Sequence, residues 1–238
     1  MNKLIVFLLF FLLILYFKRN LPITIIVSCT VNVHNVNTLA MKDSNERKNL
    51  YIRSIKNWLN KTNFNIVVVE NSGYLFPELQ QEMIKFKKRF EIISFIEPKN
   101  IQNEKSKGTH EIFAINYAFD NSNIIKNLNN DSLIIKITGR YFIPELENFL
   151  NKQQQKNFDI ITQNNPKQCE ILGCKKSLFK FLFDKKLNYI NNEYDNDFIE
   201  IIYQRRVASI PKNRILRSII FQIEPTRSGS SGKVKTYL

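Results

Sequence analysis

Apolar runs alternate with polar and amphipathic stretches along this chain. The first run, Ile23 to Val27, is rich in β-branched residues and does not alternate with polar ones, which predicts a strand buried on both faces, as in a parallel sheet. Further strands are predicted at Phe64–Val69, Phe90–Ile96, Leu133–Thr138 and Phe158–Thr162. Helices are predicted at Arg47–Leu59, about Pro77–Phe90, about Thr109–Phe119, Glu145–Leu150 and Lys176–Phe183. This order predicts an α/β fold with a mostly parallel central sheet flanked by helices.

The N-terminus carries an uninterrupted apolar run, Leu4 to Phe17, between Lys3 and Lys18-Arg19. It is shorter than the roughly 20 residues that cross a typical bilayer, and no small-x-small cleavage site follows it. We therefore expect an uncleaved membrane anchor helix over residues 1–21 and a single-pass membrane location. Similar positive charge on both flanks leaves the orientation open.

Residues 22–238 are expected to form one domain. From about Pro211 the helical and strand periodicity is lost, and the chain ends in a basic segment rich in serine and glycine. This composition predicts a flexible basic tail.

The composition predicts a packed core and an acidic partner. Hydrophobic residues make up 44% of the chain, and the formal net charge is +14, which favours nucleotide phosphates, anionic lipid or nucleic acid as ligands. The sequence has no RNA-binding aromatic signature, zinc finger or basic zipper, so nucleic acid is a minor alternative. The three cysteines, Cys29, Cys169 and Cys174, lack metal-type spacing and are expected to be small buried hydrophobes.

Charged and small residues gather where two of the predicted strands end. Leu133–Thr138 delivers Lys136, Gly139 and Arg140 to its carboxyl end, and Phe64–Val69 is followed by Glu70-Asn71-Ser72-Gly73. Fixed cations suit a diphosphate because they donate charge-assisted hydrogen bonds to phosphate oxygens, while a glycine removes steric cover. The alternative is a core strand followed by a solvated basic turn.

Further cations precede a predicted helix and lie near the C-terminus. Lys107-Gly108 stands before the helix at Thr109–Phe119, so backbone N–H groups and the positive end of the helix dipole could face phosphate. An ordinary glycine cap with solvated lysines is the alternative, and His110 is expected to be a surface or capping residue. Lys233 is a candidate cation on a mobile loop, with an unstructured tail as the alternative.

Several segments together resemble the nucleotide-sugar-binding half of GT-A glycosyltransferases, whose Rossmann-like sheet holds the base, ribose and diphosphate of the donor. The segments are VVVENSG at 67–73, EKSKGTHEIFAINYAF at 104–119, IIKITGRY at 134–141 and ILGCKKSLF at 171–179. The last two are similar to bacterial-type capsule and lipopolysaccharide transferases. On this hypothesis Glu70 and Asn71 contact the base or ribose. The candidate diphosphate residues are Lys107, Gly108, Lys136, Gly139, Arg140 and Lys233.

The chain departs from that family at the end of the fourth strand. GT-A enzymes commonly carry Asp-x-Asp there for a divalent metal, Mn²⁺ or Mg²⁺, whereas this chain has Lys136-Ile-Thr-Gly-Arg140. A hard cation needs oxygen ligands, and this strand end supplies no carboxylate. Either Lys136 and Arg140 replace the ion, or donor binding has been lost.

Acidic residues cluster around residue 195. On a helix, Glu193, Asp197 and Glu200 fall on one stripe. One interpretation is an amphipathic helix with a carboxylate face. The other is a catalytic base that takes a proton from the acceptor hydroxyl, as in many inverting GT-A enzymes. Asp197 is the first candidate for that base, followed by Glu193 and Asp195.

These observations predict a membrane-anchored glycosyltransferase that moves a sugar from a nucleotide-diphosphate donor to a glycan or lipid-linked acceptor, with a divalent metal, Mn²⁺ or Mg²⁺, left open as a cofactor. One alternative is a non-catalytic binding or scaffold protein of the same fold at a membrane. Another is a basic protein that binds a membrane surface or nucleic acid.

Overall fold

The computed structural model describes residues 22–33, 40–104, 106–153, 156–165, 167–184, 199–229 and 231–238. Its strands are β1 (Thr24–Cys29), β2 (Asn65–Glu70), β3 (Phe90–Ser94), β4 (Leu133–Thr138), β5 (Ile160–Thr162), β6 (Ile171–Lys175), β7 (Ile215–Arg217), β8 (Gln222–Arg227) and β9 (Val234–Tyr237). Its α-helices are α1 (Ser44–Lys61), α2 (Gln80–Lys85), α3 (Lys99–Gln102), α4 (Lys107–Asn121), α5 (Asn123–Lys126), α6 (Leu146–Gln153), α7 (Phe179–Leu182) and α8 (Ile199–Ala208). Short 3-10 turns lie at Pro77–Leu79, Lys176–Leu178 and Lys212–Arg214.

Seven strands form one sheet in the order β3-β2-β1-β4-β6-β5-β7. β1 pairs in parallel with β2 and β4, and β2 pairs in parallel with β3. β6 is antiparallel to both β4 and β5, and β7 is parallel to β5. The predicted α/β class with a mostly parallel central sheet is confirmed.

Both faces of the sheet are covered, which explains why the first strand shows no hydrophobic alternation. Ile25 and Val27 of β1 pack in one core cluster, where α1 contributes Trp58, and Ile26 between them packs in the cluster on the opposite face. α4, α7 and α8 supply apolar residues to that second cluster. Since these three strand residues are fully buried, neither face of β1 can accept a polar side chain at low cost.

The prediction of a flexible C-terminal tail was wrong. The segment after Pro211 adds β7 to the main sheet and then forms an antiparallel hairpin from β8 and β9. Phe221 is fully buried, and its backbone exchanges hydrogen bonds with Leu238 at 2.8 and 2.9 Å. The hairpin is therefore fastened to the core at its open end.

The prediction of a single-pass membrane location is contradicted by the structure. Among the helices of the described residues, none has the length and apolar character needed to cross a membrane. The segment proposed as the anchor helix, Leu4 to Phe17, lies outside the described residues. A membrane-spanning helix was predicted for that segment although its apolar run is shorter than the roughly 20 residues needed to cross a bilayer.

Candidate functional site

A cavity of about 460 Å³ opens at the carboxyl ends of β1, β2 and β4. Parallel strands bring their last residues to one edge of the sheet, and this edge is where α/β proteins bind ligands. The cavity walls come from α1, α4, the start of α8 and the loop between β8 and β9. Residues from each of these parts line it, among them Tyr51, Lys107, Glu111, Glu200 and Ser228.

Among the described residues, three cations line the cavity: Arg47 of α1, Lys107 at the start of α4, and Arg140 just after β4. Burial, together with the positive charges of Arg140 and Arg47, lowers the pKa of Lys107 despite the opposing carboxylate of Glu200. The three charges are thus close enough to repel one another. An anion placed among them would relieve that repulsion.

Arg47 is held in place by the backbone, and the sequence had not marked it as a site residue. Its guanidinium donates to the carbonyl oxygen of Thr30 at 2.6 Å, to that of Met41 at 3.3 Å and to the Tyr51 hydroxyl at 2.8 Å. Only 4% of Arg47 is exposed. It therefore fixes the loop after β1 and adds a permanent positive charge to the wall.

Arg140 lies beneath the loop of the β8–β9 hairpin. Its guanidinium is beside the hydroxyls of Tyr51 and Tyr141, and its Cζ is 5.6 Å from the centre of the Tyr141 ring. A Cβ at Gly229 would come within 2.6 Å of a terminal nitrogen of Arg140. Gly229 is therefore a position where the hairpin approaches the cation closely.

Asn71 belongs to a hydrogen-bonded chain along the cavity wall. It accepts from the Thr30 hydroxyl at 2.6 Å and donates to Glu97 at 2.6 Å, and the other oxygen of Glu97 is 2.7 Å from Nδ1 of His110. Nε2 of His110 is 3.0 Å from the Glu104 carbonyl oxygen. The hydrogen bond to Glu97 is the main cause of the raised pKa of His110. His110 is thus a paired residue of the wall, contrary to the expected surface or capping role.

Glu70 faces the backbone and is fully buried. Its carboxylate accepts from the backbone N–H groups of Val31 at 2.9 Å, Ser72 at 3.0 Å and Tyr74 at 2.7 Å, and from the Ser72 hydroxyl. These bonds hold the loops after β1 and β2 together. Glu70 therefore stabilises the loops that form the cavity wall, while its neighbour Asn71 lines the cavity.

Lys136 and Gly139 also make contacts inside the fold and do not line the cavity. Lys136 is fully buried and pairs with Glu111 at 2.6 Å, and it donates to the Cys169 carbonyl oxygen at 2.7 Å. Burial alone would lower the pKa of Lys136, but the Glu111 carboxylate raises it overall. A Cβ at Gly139 would lie 2.4 Å from the Ser28 carbonyl oxygen, so this glycine lets β4 end close against β1.

The remaining predicted phosphate residues separate into two groups. Lys107 and Gly108 line the cavity, and a Cβ at Gly108 would come within 2.6 Å of Ile199 in α8. Lys233 is exposed and is not among the residues that line it. Its neighbour Lys235 instead pairs with Glu170, which lines the cavity.

The predicted base candidates Glu193, Asp195 and Asp197 lie outside the described residues. Glu200 lies in the first turn of α8 and lines the cavity. The sequence placed Glu200 on one stripe with Glu193 and Asp197 but did not propose it as a base. Nothing in the sequence indicated the interior pair of Glu111 with Lys136.

A divalent metal does not fit the end of β4. The carboxylates of Glu97, Glu111 and Glu170 are engaged with His110, Lys136 and Lys235, respectively. Within the described ranges, the acidic, histidine and cysteine side chains form no group suited to hold a metal ion.

Comparisons with known proteins find distant structural likenesses. No protein-family model matches this chain, and a search of curated proteins finds no match. A Desulfovibrio desulfuricans G20 structure named "putative nucleotide-diphospho-sugar transferase" is similar at 14% identity and a TM-score of 0.45, over 84% of this chain and 80% of that one. S. aureus TarS, residues 1–349, is similar at 14% identity and a TM-score of 0.46, over 91% of this chain and 60% of that one.

A cytidylyltransferase from Leptospira borgpetersenii serovar Hardjo-bovis is similar at 13% identity and a TM-score of 0.45, over 84% of this chain and 76% of that one. At such identities and TM-scores these likenesses carry no argument about fold family, ligand or reaction. The residues of the cavity have to carry that argument.

Proposed function

We propose that this protein is a glycosyltransferase that uses a nucleoside-diphosphate sugar and passes the sugar to a hydroxyl of a glycan or lipid-linked acceptor. One observation carries the proposal: Arg47, Lys107 and Arg140 line a single cavity at the carboxyl edge of the parallel strands. Burial is the main cause of the lowered pKa of Lys107, and the positive charges of Arg140 and Arg47 add to it. Three positive charges in one cavity favour a ligand with more than one negative charge.

The diphosphate would bind between Lys107 and Arg140, with Arg47 behind them. Lys107 supplies an ammonium group, and Arg140 supplies a planar guanidinium that can hold two phosphate oxygens together. Lys107 also opens α4, a helix of 15 residues, so the helix dipole adds to the positive field. These cations would take the place of the metal ion in neutralising the diphosphate.

In the transfer step, the acceptor oxygen forms a bond to the anomeric carbon while the bond from that carbon to the diphosphate oxygen breaks. The electron pair of the broken bond stays on the leaving diphosphate, where Lys107 and Arg140 stabilise the added charge. The acceptor proton passes to a carboxylate. Glu200 is the candidate base in the described cavity wall, and Asp197 remains the candidate proposed from the sequence.

Titration calorimetry with ADP, CDP, GDP and UDP, each with and without Mn²⁺, tests the donor site. The proposal expects at least one diphosphate to bind without the metal. Incubation of the protein with the matching sugar conjugates and a panel of acceptors then tests transfer through the release of free diphosphate. Absence of binding to all four nucleotides under both conditions would rule out the proposed donor site.

A second candidate function is ligand binding without transfer. It is favoured by the interior use of Glu70, Lys136 and Gly139, three residues that the donor-site hypothesis had assigned to the ligand. Diphosphate binding with no release of diphosphate from any sugar conjugate would support this candidate over the enzyme.

A further inference from the structure

The floor of the cavity contains a buried ion pair that the proposed binding of a diphosphate does not use. Lys136 of β4 is 0% exposed, whereas the side chain of its partner Glu111 is 22% exposed and lines the cavity. The pair therefore presents its negative member to the cavity and keeps its positive member beneath. Such a pair is expensive to bury, and replacing it with apolar residues of similar volume would be compatible with a stable fold.

Lys136 fixes the position of the Glu111 carboxylate. Its ammonium group lies 2.6 Å from Glu111 and 2.7 Å from the carbonyl oxygen of Cys169. Because Lys136 is itself held by a backbone oxygen, the carboxylate paired with it stays in place at the cavity floor, where it can accept a hydrogen bond.

Glu111 lies one helical turn beyond Lys107 on the same face of α4, because residues four apart on a helix are neighbours. One turn advances by about 5.4 Å. Ala114, which follows Glu111 on that face, also lines the cavity and has a small side chain. A group attached to a diphosphate at Lys107 would therefore meet the Glu111 carboxylate where there is room for a ring.

We propose that Glu111, positioned by Lys136, is a specificity-determining residue that accepts a hydrogen bond from a hydroxyl of the donor sugar. This inference rests on the proposed function, since it assumes that the cations hold the diphosphate of a nucleotide sugar. The ligand class that it selects is a sugar with a free hydroxyl directed at the floor. A charged acceptor discriminates strongly against a ligand that lacks the matching donor.

The test compares each nucleoside diphosphate with its hexose conjugate by titration calorimetry, using ADP, CDP, GDP and UDP. In the wild type, the conjugate of the best-binding nucleotide should bind more tightly than the free diphosphate. Glu111→Gln should lower the affinity for the conjugate about tenfold, in line with loss of one charge-assisted hydrogen bond. Its affinity for the free diphosphate should change less than about twofold, because the cations are untouched.

Two further variants keep the result interpretable. Lys136→Met combined with Glu111→Leu replaces the pair by apolar side chains; it should remain folded in thermal unfolding and show the same selective loss. Glu224→Gln changes an exposed carboxylate whose partner is Arg53 and should leave both affinities unchanged.

The outcomes separate this inference from the proposed function. If the wild type binds neither free diphosphates nor conjugates, the proposed function fails and the role of Glu111 fails with it. Two results would overturn only the role of Glu111. One is that the wild type binds diphosphates but binds their conjugates no more tightly. The other is that the folded variants keep the wild-type ratio of conjugate affinity to diphosphate affinity.

Discussion

At the scale of single residues, the pairing of His110 with Glu97 has a consequence for stability. Both ring nitrogens of His110 face acceptors, at 2.7 Å from Glu97 and 3.0 Å from the Glu104 carbonyl oxygen. Only the protonated ring can donate to both of them. The Glu97 hydrogen bond, acting against burial, raises the pKa of His110 above its usual 6.5.

The sign of the resulting pH dependence follows from linkage. Because the folded pKa is raised, the stabilisation by His110 is complete below about pH 6.5 and is lost as the pH rises through the folded value. His110→Gln should therefore lower the free energy of unfolding most at pH 6 and progressively less above pH 6.5. Urea denaturation across this range measures the difference.

Lys87→Gln, at an exposed lysine, is the control and should not reproduce the pH-dependent loss. A deficit of His110→Gln that stays constant from pH 6 to pH 9 would contradict the assigned pair.

The sequence predicted the location of the charged residues better than it predicted their partners. The sequence placed Lys107, Asn71 and Arg140 at the ends of elements, and these residues line the cavity. Lys136 was expected to face the ligand, but its partner Glu111 lies 25 residues away on a different element, and only the packing of α4 against the sheet brings them together. A contact of this kind leaves no local pattern in a single sequence.

At the scale of secondary structure, the β8–β9 hairpin controls the surroundings of Arg140. The backbone N–H groups of Ala40 and Met41 donate to the carbonyl oxygen of Gly229 at 3.0 and 3.3 Å, which holds the hairpin loop against the segment before α1. The loop thus lies over the guanidinium and contributes Ser228 to the cavity lining. A side chain added here should act on the ligand site more than on the fold.

Gly229→Ala should weaken diphosphate binding with little effect on stability. The new Cβ would come within 2.6 Å of a terminal nitrogen of Arg140, and the flexible end of that side chain can move away. Displacing one charge-assisted contact should reduce affinity about tenfold, while the free energy of unfolding changes by less than about 1 kcal/mol. Calorimetry and urea denaturation measure the two effects.

Gly139→Ala is the matched comparison, because its Cβ would come within 2.4 Å of the backbone oxygen of Ser28. The backbone of a strand cannot move as freely as the end of a side chain. The free energy of unfolding of this variant should therefore fall by about 1 to 3 kcal/mol. If the two alanine variants had equal effects on stability, the different roles assigned to these glycines would be wrong.

The elements that the sequence predicted are those with continuous apolar runs. β4 has the predicted bounds, and β1 and β2 are shifted by only one or two residues. β6 was missed because its five residues include Gly173 and end at a lysine; a Cβ at this glycine would lie 2.6 Å from the Ile134 carbonyl oxygen. β8 was missed because four of its six residues are exposed, and one of these is Pro225.

At the scale of the whole molecule, the fold places similar charged residues in different surroundings, some in the interior and others at the cavity. The net charge of +14 indicated an acidic partner without saying where it would bind. The parallel strands collect Arg140 and the end of β1 at one edge, and α1 and α4 add Arg47 and Lys107 there. The central claim is that this convergence of positive side chains holds a diphosphate without help from a metal ion.

The most direct test is titration calorimetry of the wild type and of Lys107→Ala/Arg140→Ala with the four nucleoside diphosphates in the presence of EDTA. We expect metal-independent binding by the wild type and a loss of about a hundredfold or more in the double variant, from two charge-assisted contacts. Lys87→Ala, at an exposed lysine, should bind as the wild type does. Equal affinity in the wild type and the folded double variant, or binding by the wild type only when Mn²⁺ is supplied, would contradict the account.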